Sequence, residues 1–185
     1  MRFHTILTAL AFCATASWGQ AIDLHLDPAH TTIQFTLSAT LHTVHGTFKL
    51  KHGDIHFDPA AGKISGEVVA DATAGNSGDQ SRDRRMHKDI LESSKYPEIV
   101  FTPDRVDGTV APEGASQIQV HGMFRIHGDA HEITLPVDVN IANGQVSAKT
   151  HFTIPYVKWG MKNPSNFFLH VADKVEIDAA AGAVP

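Results

Sequence analysis

Cysteine is almost absent from this sequence, which limits how the folded protein can be stabilised. The 185 residues contain one cysteine, Cys13, and it lies in an apolar run near the N-terminus. If that run is removed on export, the mature chain has neither a thiol nor a disulfide. The protein must then fold on its own apolar core, without covalent cross-links.

Long hydrophobic runs are also lacking, and the one at the N-terminus predicts export rather than membrane insertion. Residues 6–16 are apolar and follow Arg2 and His4, but the run is too short to span a bilayer. This pattern is typical of a secretory signal peptide, which we assign to residues 1–21. Small side chains offer cleavage after Ala16, Gly19 or Ala21.

An excess of basic charge is missing too. If Arg2 is removed with the signal peptide, 14 of the 15 Lys and Arg residues and all 20 Asp and Glu residues remain. The mature chain then has a formal charge of −6. A nucleic-acid partner would need a basic face, so none is expected. No repeat or linker divides the chain, and its length suits a single domain. We assign that domain to residues 22–178, with residues 179–185 as a frayed tail.

The motifs of common catalytic sites are absent. No Gly-x-Ser-x-Gly elbow, no glycine-rich phosphate loop and no HExxH pair occur, and the mature chain offers no thiol nucleophile. Nothing places two carboxylates as a catalytic pair. We therefore expect a protein that is not an enzyme and that uses no cofactor.

Histidine, in contrast, is abundant, and twelve of the 13 histidines remain after the signal peptide. Histidine is the commonest metal ligand, so the number raises the alternative of a metal-binding or haem-binding protein. The spacing argues against it, because His42 and His45 point to opposite faces of a regular strand unless a bulge at Gly46 unites them. No metal ligand set can be assigned from the sequence.

Most of the mature chain alternates between apolar and polar residues, as half-buried β-strands do. Residues 31–37 and 133–139 show the pattern clearly, and Asn143-Gly144 between two alternating runs is a strong hairpin signal. The last strand is expected at about residues 168–177. Eight or more antiparallel strands predict an all-β fold, either an up-and-down barrel or a sandwich.

One amphipathic helix interrupts the strands, and we expect it to cap the open end of the barrel or sandwich. It is predicted over residues 81–91, with Asp79 or Ser81 as the N-cap. Its apolar face consists of Met86, Ile90 and Leu91. Pro97 forces the preceding residue out of helical geometry and returns the chain to a strand.

Several stretches resemble the YceI-like family. The run RDRRMHKDILESSKYPEIVF, residues 82–101, resembles the family's central motif. The opening Asp27-Pro-Ala-His30, the later His45-Gly-Thr-Phe48 and His121-Gly-Met-Phe124, and the closing Trp159-Gly-Met161 are similar to its other motifs and occur in the same order. The resemblance covers about residues 22–178.

This resemblance implies an extended, eight-stranded, antiparallel, lipocalin-like barrel whose apolar tunnel holds a long-chain amphiphile, typically a polyisoprenoid. It implies a periplasmic carrier or scavenger that binds its lipid without turning it over and without stable membrane insertion. A homodimer is compatible with the sequence. By strand parity, the expected tunnel lining is Phe35, Leu37, Phe48, Leu50, Phe57, Phe101, Phe124, Ile126, Phe152 and Ile154, with Met86, Ile90 and Leu91 beneath the helix at the mouth.

Overall fold

Eight antiparallel strands close into a barrel in the order in which they occur along the chain. The structure is a computed structural model that describes residues 21–40, 42–59 and 61–184, so the predicted signal peptide lies outside it apart from Ala21. The strands are β1 (Ile22–Ser38), β2 (Thr43–Asp58), β3 (Lys63–Asn76), β4 (Glu98–Asp107), β5 (Gly114–Ile126), β6 (Asp129–Ala142), β7 (Gln145–Ile154) and β8 (Val175–Val184). The predicted all-β barrel with one short helix is confirmed.

The hairpins form where the sequence tolerates a positive φ. Asn143 and Gly144 have φ values of 53° and 74°, and they join β6 to β7 as predicted. His127 and Gly128 repeat this geometry between β5 and β6, with φ values of 54° and 88°. A side chain at Gly128 would have its Cβ 2.5 Å from the Tyr96 ring, so glycine is required there for space as well as conformation.

The connections between strands define two ends of the barrel, because successive strands run in opposite directions. The helix end consists of residues 39–40, 42, 77–97, 127–128 and 155–174, and the hairpin end consists of residues 59, 61–62, 108–113 and 143–144. The N-terminus of β1 and the C-terminus of β8 lie at the hairpin end.

The helix is shorter than predicted and continues in a different form. Helix α1 covers Gln80–Arg85, and its N-cap is Asp79, whose carboxylate accepts a hydrogen bond from the Arg82 amide at 2.8 Å. A π-helical turn, Met86–Ile90, follows, and the Leu91 amide donates to the Met86 carbonyl five residues before it. The predicted single helix over residues 81–91 is therefore corrected to one α-helix and one π-turn.

The last strand lies further along the chain than predicted. Residues 155–174 form a long connection, and β8 pairs with β7 and β1 over the segment expected to fray. Alanine and glycine have weak strand propensity, which is why residues 179–183 resemble a tail. The segment is nevertheless a strand, because hydrogen-bonded partners on both sides hold it in the closed sheet.

Pro28 lies within β1, although it has no backbone amide proton to donate to a neighbouring strand. β1 runs through it, and the pairing of β1 shifts register between His25 and Ile33 on one side and between Leu26 and Thr31 on the other. A residue without an amide proton is tolerated at such an irregularity.

The interior holds two apolar clusters, one toward each end. At the helix end, the buried cluster is Phe35, Val44, Leu91, Phe124, Ile126, Ile154, Tyr156, Met161 and Ile177. At the hairpin end, it is Phe57, Val106, Ile118, Val120 and Val139. Phe101 packs against both clusters.

Candidate ligand-binding cavity

A cavity of about 370 Å³ runs through the barrel interior and touches both apolar clusters. This volume lies within the roughly 300–1,000 Å³ typical of small-molecule sites. Of the thirteen side chains expected to line a tunnel, twelve line this cavity: Phe35, Leu37, Phe48, Phe57, Met86, Ile90, Leu91, Phe101, Phe124, Ile126, Phe152 and Ile154. Strand parity therefore brings the predicted set together around one space.

Leu50 is the exception. It is buried, with 7% of its surface exposed, but it does not line the cavity. The pairing of β2 with β3 shifts register on both sides of it, between Thr47 and Lys49 and between Leu50 and His52. The prediction assumed that Phe48 and Leu50, two residues apart on a regular strand, face the same side. The register shifts interrupt this alternation, so the assumption does not hold for Leu50.

Aromatic rings are concentrated at the helix end of the cavity. The centroids of Phe35 and Phe48 are 5.5 Å apart, and those of Phe124 and Phe152 are 5.9 Å apart in an edge-to-face arrangement. Phe124 also lies 6.0 Å from Trp159, on which the His131 ring stacks at 4.1 Å. Such pairs fix the orientation of the rings and stabilise this half of the core.

Two long connections close the helix end. Met86, Ile90 and Leu91 reach the cavity from the π-turn and the residue after it, while Tyr156 and Met161 reach it from the connection between β7 and β8. The alternation of the sequence does not identify Tyr156 and Met161, because a loop has no periodic pattern that marks its inward side chains. Their position next to Trp159-Gly160, in a family motif, was the available signal.

Hydrogen bonds hold these closing segments in place. His87 Nε2 donates to the Gly75 carbonyl at 2.9 Å, and His87 Nδ1 forms a hydrogen bond of 3.0 Å with the Ser93 hydroxyl. The Tyr156 hydroxyl donates to the Ala172 carbonyl at 2.7 Å. Burial, with a smaller effect of Asp173, raises the pKa of Tyr156 to about 12. The hydroxyl therefore stays protonated as a donor at neutral pH.

At the hairpin end, the lining is mainly aliphatic. Ile22, Ile55, Ile64, Val106, Val110, Ile118, Val137, Ile141 and Val146 contribute to it. Small side chains on neighbouring strands widen the space, because Ala148 of β7 is paired with Ala181 of β8 and both line the cavity. The alanines that made β8 resemble a tail thus leave room inside the barrel.

Thr150 is a polar exception within this lining. Its Oγ1 is buried and has no hydrogen-bond partner. An unpaired buried hydroxyl is unfavourable, so Thr150 is a natural contact for a polar atom of a bound molecule.

Most histidines belong to the outer surface and are paired with carboxylates. His25 bonds to Asp54 at 2.6 Å, His56 to Asp23 at 2.7 Å and His151 to Asp178 at 2.8 Å. Each pair joins adjacent strands of the barrel. Among the residues that the structure describes, no three His, Cys, Asp or Glu side chains come together as a metal site.

His121 has a larger set of charged neighbours. Its Nδ1 lies 2.7 Å from Asp104 on β4, and its Nε2 lies 2.9 Å from Glu132 on β6. Hydrogen bonding to Asp104, supported by Glu132, raises the pKa of His121 against desolvation and the charge of Arg105. In its protonated form, His121 thus forms ion pairs that join three neighbouring strands on the outer face.

The fold and the cavity define a class, the closed antiparallel β-barrels with room for one internal ligand. A family model, the YceI-like domain, matches residues 24–183. The chain therefore belongs to the YceI-like family. No helix in the described part of the chain has the length and apolar character needed to cross a membrane.

Solved structures share the fold at low sequence identity. Burkholderia cenocepacia BcnA superposes with a TM-score of 0.72 at 22% identity, covering 86% of this chain and 99% of that one. A polyisoprenoid binding domain from Saccharophagus degradans, implicated in plant cell wall breakdown, gives 0.71 at 18% identity, with coverages of 88% and 98%. The Campylobacter jejuni YCEI protein gives 0.57 at 20% identity, with coverages of 75% and 85%. No curated protein matches the chain.

Proposed function

We propose that the protein binds one long-chain amphiphilic lipid, a polyisoprenoid or a similar molecule, inside the barrel and acts as a periplasmic carrier or scavenger. The observation that carries this proposal is the cavity, whose lining is almost wholly apolar over both halves of the barrel. A space of this kind offers hydrophobic burial and little else. It suits a hydrocarbon chain rather than a sugar, a nucleotide or a peptide.

The energetics favour a long chain over a short one. Burial of each methylene contributes about 0.8 kcal/mol, so ten carbons contribute about 8 kcal/mol. Association itself costs an estimated 4–15 kcal/mol, which offsets much of that gain. Tight binding without many polar contacts therefore needs well over ten buried carbons, as several isoprene units supply.

The family and one relative agree with this choice of ligand. The Saccharophagus degradans domain is described as polyisoprenoid binding, and its barrel superposes on most of this chain. The arrangement of groups also favours binding over turnover, because the lining is aliphatic and aromatic apart from Lys149 and Thr150, two neighbours on one strand that do not form a set of acid, base and nucleophile.

The test is native mass spectrometry of the full chain expressed in bacteria and purified without detergent. We expect a non-covalent adduct of several hundred daltons that is released on denaturation and extracts into organic solvent. The matched variants are Ala181→Phe, which fills the cavity, and Ala180→Phe, which adds the same ring on the opposite face of β8. The adduct should disappear from Ala181→Phe alone.

Two results would overturn the proposal. One is an adduct-free protein that also takes up no added polyprenol. The other is an adduct retained equally by both folded phenylalanine variants, which would place the bound molecule outside the barrel.

A further inference from the structure

Two adjacent phenylalanines are fully exposed at the helix end. Phe167 and Phe168 have 95% and 86% of their surface exposed, and their ring centroids lie 5.1 Å apart. Among the described residues, the next large apolar side chain in exposure is Met123, at 40%. A pair of bare aromatic rings is unfavourable in water, so it marks a surface that meets an apolar partner.

The loop that carries the pair is held by defined hydrogen bonds. The Asn166 side-chain oxygen accepts from the Phe168 and Leu169 amides, both at 2.9 Å, and the Asn166 amide donates to the Leu169 carbonyl. The Ser165 hydroxyl accepts from the Val171 amide at 2.8 Å. These bonds turn the chain sharply, so the phenylalanines project from a constrained turn.

The loop is also fixed to the barrel wall. The Thr40 amide donates to the His170 carbonyl, and the Ala172 amide donates to the Ser38 carbonyl, both at 2.9 Å. Ala39 and Val171 form an isolated antiparallel bridge at the same place. The pair is therefore presented beside the first connection of the helix end.

Charge separates this end from the rest of the chain. The four connections of the helix end hold eight Lys and Arg against five Asp and Glu, whereas the remainder of the mature chain holds six against fifteen. The eight are Arg82, Arg84, Arg85, Lys88, Lys95, Lys158, Lys162 and Lys174. A net positive end on a negative protein is complementary to an anionic surface.

We propose that the helix end docks on the surface of an anionic lipid bilayer, with Phe167 and Phe168 inserted at the boundary between head groups and acyl chains. Aromatic rings favour that boundary, and the lysines and arginines of the same end are attracted to anionic lipids. Two side chains are too few for the roughly 800 Å² per partner that a stable protein interface buries. A bilayer needs no shaped counterpart, so a small patch suffices.

This inference goes beyond the proposed ligand. Docking would bring the closing segments of the cavity against the bilayer, but it does not require an occupied cavity. The proposed function fails if no lipid enters the barrel, whereas this inference fails if the protein does not bind vesicles.

The experiment is sedimentation of the purified full chain with vesicles of phosphatidylglycerol and phosphatidylethanolamine, compared with pure phosphatidylcholine. The wild type should bind the anionic vesicles and be released at high salt. The double variant Phe167→Ser/Phe168→Ser should lose at least about tenfold in partition, since two apolar rings no longer leave water. Met123→Ser, on the outer face of β5, should bind like the wild type.

A second set of variants tests the charges. Lys158→Gln/Lys162→Gln/Lys174→Gln should weaken binding to anionic vesicles. Lys49→Gln/Lys51→Gln/Lys63→Gln, which removes three exposed lysines of the barrel strands, should not. Equal vesicle binding by the wild type and the phenylalanine variant would overturn the proposal. So would no binding by the wild type, or a phenylalanine-dependent dimer in sedimentation velocity without vesicle binding.

Discussion

The two ends of the barrel are closed in different ways, although the same eight strands run through both. At the hairpin end, the chain turns within short connections, and Phe57 is the sole aromatic residue of a buried cluster that is otherwise aliphatic. At the helix end, the connections 77–97 and 155–174 fold over the opening and add Leu91, Tyr156 and Met161 to an aromatic-rich cluster. Short hairpins are fixed by local geometry, whereas long connections depend on tertiary contacts. We therefore expect the helix end to open for ligand exchange while the hairpin end stays closed.

The largest effect is expected from Phe124→Asp, in the aromatic cluster of the helix end. Phe124 is buried between Phe152 and Trp159, and an aspartate there would place an unpaired carboxylate against apolar rings. We expect lipid uptake to be abolished and stability to fall by about 3–5 kcal/mol or more, the range of large core deletions. Uptake is measured by native mass spectrometry and stability by urea denaturation.

Met123→Asp is the matched control, because Met123 is the neighbouring residue on the outer face of β5 and is partly exposed. It should leave uptake unchanged. A folded Phe124→Asp protein with normal uptake would remove Phe124 from the binding surface. If only the corresponding Phe57→Asp protein lost uptake, the ligand would bind mainly at the hairpin end rather than at the helix end.

The sequence predicts the turns of the hairpin end better than the way in which the helix end is closed, and the reason is physical. Alternation of apolar and polar residues predicts which face of a strand is buried, and Asn143-Gly144 predicts a turn. Both signals are local, because each extends over only a few residues of sequence. The N-cap at Asp79 is also predicted by a local signal, a short polar side chain just before the first helical turn. Local signals thus account for the strands, the hairpins and, of the thirteen side chains predicted to line a tunnel, the twelve that line the cavity. They leave a barrel and a sandwich equally possible, and the resemblance to the family implies the barrel. The contact of these side chains with a ligand stays a prediction.

What the sequence does not predict depends on distant partners. β8 is a strand because β1 and β7 flank it, and its alanines carry little propensity of their own. The π-turn Met86–Ile90 and the inward placement of Tyr156 arise from packing over the barrel opening. Leu50 is misplaced because register shifts in β2 leave no trace in composition. Three of these four differences concern how the barrel is closed.

A smaller effect is expected from His87→Ala, which tests whether the helix end is the one that opens. His87 ties the π-turn to the Gly75 carbonyl of β3 and to the buried Ser93 hydroxyl. Its removal leaves both groups unpaired, so we expect a loss of about 1–3 kcal/mol in stability. Ligand release should accelerate, as followed by transfer of a fluorescent polyprenol to acceptor vesicles.

The matched control is His56→Ala, because His56 lies near the hairpin end and its bond to Asp23 is exposed to solvent. It should change neither stability nor release appreciably. Hydrogen exchange provides the second measurement: in His87→Ala, the amides of residues 86–91 should exchange faster while those of β5 remain protected. Faster release from His56→Ala than from His87→Ala would mean that the hairpin end is the exit.

The smallest effect concerns His121, which lies on the outer surface where the two clusters meet. Val120 belongs to the hairpin-end cluster and Phe124 to the helix-end cluster, and between them the pairing of β4 with β5 shifts register at Asp104. Asp104 and Glu132 raise the pKa of His121, so its charged form is favoured in the folded state. A raised folded-state pKa means that the stabilisation is present in full below the unfolded value of about 6.5 and is lost as the pH rises through the folded-state value.

The variant His121→Gln should therefore melt below the wild type at about pH 5.5 and approach it as the pH rises, because the wild-type imidazolium loses its proton. Arg105 opposes the effect, so the difference in melting temperature should be a few degrees at most. An NMR titration of the His121 ring gives the direct measurement, and Asp104→Asn should lower its midpoint because Asp104 is the main cause of the shift. A melting-temperature gap that widens with rising pH would reverse the sign and exclude the imidazolium as the group that joins the two halves of the barrel from outside.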